Sequence, residues 1–212
     1  MTENHAWEVA AGDAGGDNGR VAQRRFHYEQ AFEQYLRVNR VPYVAVDEAR
    51  KALLPLGEGM DALKSFDFVV YGPTCNMLID VKGRKHDARR RSGLENWVTE
   101  EDVAALTRWS ELFGPGFEPV FVFAYWCEAQ PPDALFEEMF EFGGRWYALR
   151  AVPLAAYAGA MRPRSTRWST VSVPRRCFDR ISRSFTVRAP SPVAGRIGPR
   201  TLAAAPERTY PV

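Results

Sequence analysis

The chain has 212 residues, 46% of them hydrophobic and 25% charged, with a formal net charge of +2, which fits one globular core with tails. No run reaches the roughly 18 apolar residues that a membrane helix needs, and residues 1–25 lack an apolar stretch of signal-peptide type. Cys75, Cys127 and Cys177 are far apart and show no C-x-x-C spacing, which argues against a disulfide framework or structural zinc and for a reduced cytoplasm.

Residues 1–20 are rich in Gly, Asp and Ala and are predicted to be a disordered tail. Residues 21–40 read as a helix, with Phe32 and Leu36 on the face that also carries Glu29 and Glu33. Residues 41–46 read as a strand. Residues 47–64 form a connection with room for a short helix, broken by Pro55, Gly57 and Gly59. Two apolar runs, 65–71 and 76–82, flank Gly72 and Pro73 and read as short strands, because β-branched and aromatic residues dominate them. Residues 83–94 read as a polar, basic loop. Thr99 suits an N-cap with Asp102 in the capping-box position, and Gly114 and Pro115 end that helix near Phe113. The continuous apolar run 119–126 is predicted to be a central strand buried on both faces. A short helix is expected from Pro131 to Phe142, a strand over 145–151 and a helix over 152–161. The remainder reads as a basic, less regular segment. From Arg162 onward there are eleven Arg, no Lys and two acidic residues, a net of +9 against +2 for the whole, so the rest of the chain carries −7. Such a quarter can be a polyanion-binding surface or a solvated, ion-paired segment. Residues 187–212 read as a disordered Pro/Ala/Arg-rich tail, leaving 21–186 as the domain.

Three strands in succession suit an antiparallel meander, and the helix after them suits a right-handed parallel crossover to the fourth. The expected fold class is therefore α/β, a three-layer core with a mixed sheet.

The informative residues are Asp67, Asp80 and Lys82. Residues two apart share a strand face, so Leu78, Asp80 and Lys82 point the same way. A carboxylate and an ammonium at the end of a buried strand are costly unless paired or metal-bound. If Tyr71 pairs with Leu78, Asp67 falls opposite Lys82 and all three face one side; a slip of one residue puts Asp67 on the other face. Two neighbouring carboxylates suit a hard cation such as Mg²⁺, or Mn²⁺, which lowers the pKa of bound water and steadies charge on a phosphate. Lys82 would then assist attack by water. Glu29, with Glu33 as the alternative, would supply a third carboxylate. The plain alternative is a surface ion pair at strand ends.

A helix Glu, a strand Asp, then Asp-x-Lys resembles the PD-(D/E)XK, restriction endonuclease-like, nuclease core over residues 24–126. By position, Asp67 matches the first Asp, and Asp80 and Lys82 match the (D/E)-x-K pair. Glu29 matches the helix Glu better than Glu33. Phe66 stands where the motif often has Pro. Residues 27–33, H-Y-E-Q-A-F-E, also resemble the string that names the HYExAFE bacterial proteins, a label that implies no activity. The nuclease resemblance implies divalent-metal-dependent hydrolysis of phosphodiester bonds, with nucleic acid, DNA above all, as partner. It leaves the oligomeric state open, a dimer included, and involves no membrane. Phosphate contacts are assigned to Arg84, Lys85, Arg89, Arg90 and Arg91, with Arg164, Arg167 and a stacking Trp168 from the basic segment. Trp97 and Trp109 read as packing residues. His27 reads as packed or hydrogen-bonded and His86 as solvated. Two other readings stay open: a non-catalytic nucleic-acid-binding module that keeps the nuclease-like fold, and an interaction protein whose charges are only surface pairs.

Overall fold

Helix α1 (Asn18–Val38) lays Phe32, Tyr35 and Leu36 onto one face of a mixed β-sheet, as their helical spacing requires. The computed structural model describes residues 18–46, 63–86, 93–128 and 138–186, with side chains from residue 27 onward in α1. The expected N-terminal tail up to residue 17, most of the 47–64 connection, Arg89, Arg90 and Arg91, residues 129–137 and the 187–212 tail lie outside the described residues.

The strands β1 (Tyr43–Ala45), β2 (Phe68–Val70) and β3 (Asn76–His86) form the antiparallel meander. A short β4 (Val98–Thr99) then leads into α2 (Glu100–Phe113), which crosses over to β5 (Phe117–Cys127). β5 runs parallel to β3, with Asp80 level with Phe121 and Lys82 level with Phe123. β7 (Arg145–Pro153) adds antiparallel to β5, with β6 (Phe140–Phe142) and β10 (Arg183–Ser184) both against β7. Seven of the described strands thus make one sheet, β1-β2-β3-β5-β7-β10 with β6 beside β7. The α/β architecture with an antiparallel meander and one parallel crossover is the expected one.

Two cores lie on opposite faces. α1 covers Phe68, Val70, Ile79, Val81, Val120 and Val122. The other face carries Val69, Leu78, Phe121, Phe123 and Tyr125, packed under α2, α3 (Leu154–Ala160) and α4 (Arg175–Ile181). β5 reads as a continuous apolar run because both its faces are covered. α1 comes close to the sheet at Gly83, where an added Cβ would lie 2.0 Å from the Tyr28 ring.

Four expectations change. β3 continues to His86, so residues 83–86 are strand rather than loop, because β5 offers a backbone partner along that whole length. Residues 140–142 are strand, not the end of a helix, because Gly143 and Gly144, at φ 57° and 71°, turn the chain into a hairpin with β7. The stretch after Met161 is regular: β8 (Arg162–Ser165) and β9 (Thr170–Ser172) form a second small sheet with β4, and α4 follows. His86 is half-buried instead of solvated. No described helix is long and apolar enough to cross a membrane.

Candidate active site

β2 and β3 part company at Asp67. The register runs Phe68 to Ile79, Val69 to Leu78 and Val70 to Met77. Continued by one residue it sets Asp67 against Asp80. The expected pairing with Lys82 is therefore displaced by two residues, which preserves the face because the strand period is two. At Asp67 the ladder breaks. Its N–H donates to the Ile79 carbonyl at 2.9 Å, and its Oδ2 accepts the Val81 N–H at 2.6 Å. The carboxylate thus stands in for a backbone acceptor where β2 peels away.

Lys82 sits between two carboxylates. Its Nζ lies 2.8 Å from Asp80 Oδ2 and 3.0 Å from Asp102 Oδ1. Asp102 is the third residue of α2 and completes the capping box: its N–H donates to Thr99 Oγ1 at 3.0 Å, and its Oδ2 accepts the Thr99 N–H at 2.8 Å. Lys64 donates to the same Asp102 Oδ1. Asp80 and Asp102 are only 6% and 4% exposed. Buried charges persist when they are paired and hydrogen-bonded, and this chain of Lys64, Asp102, Lys82 and Asp80 meets that condition.

The titration shifts follow the arrangement. Burial alone would lower the Lys82 pKa, but Asp80 and Asp102 outweigh it and hold the ammonium above its ordinary value. Asp102 is held well below the usual carboxylate range: burial opposes this, and Lys82, Lys64 and the Thr99 N–H prevail. Asp80 is raised by burial, against the pull of Lys82 and with added repulsion from Asp102. Asp67 is pushed well up by burial, then by Asp80 and by Glu29 on α1, with the Val81 N–H and Lys82 opposing. Burial and the neighbouring carboxylates therefore both oppose a charge on Asp67, while Lys82 is matched on the Asp102 side.

Of the sequence-assigned residues, Asp67, Asp80, Lys82 and Glu29 interact. Glu33 does not join them. Its Oε1 accepts Arg37 Nη2 and the Tyr43 hydroxyl, each at 2.7 Å. Asp102 and Lys64 are the residues that sequence reading missed. Asp102 was legible only as a capping residue, although an acid inside a capping box just before a buried run is also well placed to reach a strand cation. Arg84 is a correction. It is 8% exposed, not a solvent-facing phosphate contact. Its guanidinium lies 3.9 Å over the Trp97 ring and donates to the Trp97 and Gly83 carbonyls, because even residues of β3 face the α2 side of the sheet. Lys85 points to the α1 face, half-exposed, paired with Glu128 and lying 5.0 Å over Trp126. Trp109 packs against Phe66 and donates to the Lys64 carbonyl at 2.9 Å. His27 meets the Tyr147 hydroxyl at 2.8 Å, its pKa lowered chiefly by burial.

The donor set fits a hard divalent ion in its chemistry: Asp67 and Asp80 would offer carboxylate oxygens at the junction of β2 and β3, and Glu29 is near enough to repel Asp67. Among the described residues no group of three or more His, Cys, Asp and Glu side chains closes into a metal-holding cluster. Two carboxylates alone would hold an ion that keeps several of its waters, an arrangement that Mg²⁺ accepts.

No family model and no curated protein matches the chain. Among solved structures, it is similar to Hjc of Archaeoglobus fulgidus, a Holliday junction resolvase from an archaeal hyperthermophile, at 16% identity and a TM-score of 0.42, over 73% of this chain and 91% of that one.

Proposed function

We propose that this protein hydrolyses phosphodiester bonds of nucleic acid, DNA above all, with a divalent metal held by Asp67 and Asp80 and with Glu29 close by. The observation that carries the reading is the junction of β2 and β3. There Asp67 reaches the β3 backbone at Val81 beside Asp80, with repulsion among carboxylates on one side and a clamped ammonium on the other. Bound Mg²⁺ or Mn²⁺ would lower the pKa of a coordinated water and screen the phosphate. Lys82, an ammonium at neutral pH, orients that water or steadies charge on phosphorus oxygens; it does not serve as the base. Asp102 positions Lys82 through the capping box of α2. The motif likeness to PD-(D/E)XK nucleases supports the roles of Glu29, Asp67, Asp80 and Lys82; that of Asp102 comes from its contact with Lys82 alone.

The test is cleavage of labelled single-stranded, duplex and branched DNA, and of RNA, by wild type and Asp80→Asn. Cleavage in Mg²⁺ or Mn²⁺ that disappears in EDTA and in Asp80→Asn supports the reading; cleavage that survives in Asp80→Asn overturns it. One observation favours a second reading, a non-catalytic nucleic-acid-binding module with a nuclease-like fold: Asp102 already engages Lys82, and the carboxylates do not close into a cluster. Salt-dependent binding without cleavage would select it.

A further inference from the structure

The hairpin between β8 and β9 presents Trp168 with 67% of its surface exposed. A large aromatic this exposed lies outside both cores. Its backbone is nevertheless held. Ser169, next to it, adopts φ 41°, a left-handed conformation that costs a non-glycine residue energy. The Ser169 N–H donates to the Thr166 carbonyl at 3.3 Å, and the Ser169 carbonyl accepts the Glu100 N–H at 2.8 Å. That last bond ties the turn to the first residue of α2, one before Glu101 and two before Asp102, whose carboxylate holds Lys82 at 3.0 Å. The exposed ring is thus anchored to the helix turn that positions the candidate catalytic lysine.

The hairpin itself carries only positive charge, with Glu95 and Glu100 contributed by neighbouring elements. Residues 162–172 contain Arg162, Arg164 and Arg167 and no acidic residue. The Arg167 guanidinium lies 5.2 Å from the Trp168 ring centre. Arg164 spans 5.4 Å to the Trp97 ring and approaches Glu95 at 4.0 Å, a long contact. An exposed indole among arginines suits a polyanion that carries flat apolar groups, which describes a nucleic acid with accessible bases. Base-paired DNA hides those faces by stacking inside the duplex. A rigid exposed ring gains stacking only from a base that is unpaired, terminal or next to a strand discontinuity.

We propose that the β8–β9 hairpin is a substrate-selecting arm: Trp168 stacks on an unpaired base while Arg162, Arg164 and Arg167 hold the flanking phosphates, so that the preferred ligand is single-stranded or discontinuous nucleic acid. The inference rests on the nucleic-acid reading above and names the substrate class for that same site.

Fluorescence anisotropy with a labelled single-stranded oligonucleotide and with a dumbbell duplex closed at both ends tests it, in EDTA so that no cleavage occurs. Trp168→Ala should weaken single-strand binding by about 5- to 150-fold, the range for losing one stacked base. Trp168→Phe should recover most of that loss, and dumbbell binding should change less than twofold. Arg167→Ala should flatten the log-affinity against log-salt slope by about 0.7. Equal loss for strand and dumbbell, or no loss in Trp168→Ala, overturns the proposal, as does a wild type that binds neither ligand. The two readings fail separately. Metal-dependent cleavage that is indifferent to Trp168 removes the arm and keeps the nuclease. Trp168-dependent binding without cleavage removes the nuclease and keeps the arm.

Discussion

Replacing Asp67 by Asn should stabilise the protein in the absence of metal and abolish its stabilisation by metal. Asn keeps a carbonyl oxygen for the Val81 N–H, now 2.6 Å from Asp67 Oδ2, and removes only the charge. Asp80 lies close enough to repel Asp67, and a separation of about 5 Å is taken as the order of magnitude for carboxylates on adjoining strands. At that distance two like charges repel by about 3 kcal/mol at an effective dielectric of about 20. Lys82, 2.8 Å from Asp80, cancels part of this, which leaves on the order of 1–2 kcal/mol. For a chain of this size each kcal/mol moves Tm by about 2–4 °C, so Asp67→Asn in EDTA at pH 8 should melt about 2–8 °C above wild type. The sign depends on pH. A carboxyl whose folded pKa is raised favours the native state fully below its unfolded pKa and loses that contribution as pH rises through the folded value. The gap between variant and wild type should therefore vanish near pH 3.5 and grow toward pH 8. With metal present at ten times its Kd, wild type should gain about 1.4 kcal/mol by mass action, and Asp67→Asn should gain little. Differential scanning fluorimetry across pH, with and without Mg²⁺, reads all of these. A variant that melts below wild type in EDTA, or that shows the wild-type metal shift, refutes the reasoning.

Asp102→Ala should cost about 3–5 kcal/mol, because it leaves the buried Lys82 with one carboxylate and removes the side-chain half of the capping box, the Thr99 N–H losing its acceptor; denaturant unfolding checks it, and a loss under 1 kcal/mol contradicts the clamp. Lys82→Met should lower single-turnover cleavage at least about 100-fold while keeping a metal-dependent Tm shift, since it removes an ammonium and no ligand. Gly83→Ala should destabilise by about 1–3 kcal/mol through its clash with Tyr28, and Tyr28→Ala in the same chain should recover part of that loss, as unfolding of the single and double variants would show.

The sequence announced the sheet because β5 is apolar on both faces and the Thr99–Asp102 cap is local; each is decided by a few adjacent residues. Strand phase alone placed Asp80 and Lys82 on one face. The register of Asp67 was not legible to the residue, since a shift of two leaves every side chain on its face. Arg84 was misread because the end of β3 is set by β5, some forty residues away, rather than by its own basic composition. Asp102 as the partner of Lys82, and the separation of Glu29 from Glu33, arise from tertiary packing that no local pattern encodes.

The proposed hydrolysis requires Asp67 and Asp80 to hold a divalent cation jointly. Titration of the full chain with Mn²⁺, read by the loss of the free-ion electron paramagnetic resonance signal, addresses it without reference to any substrate. One ion per chain should bind wild type, with affinity falling as pH drops because the raised Asp67 carboxyl takes up a proton, and binding should be lost in both Asp67→Asn and Asp80→Asn. Binding that is absent from wild type, or that survives in both variants, would contradict the account.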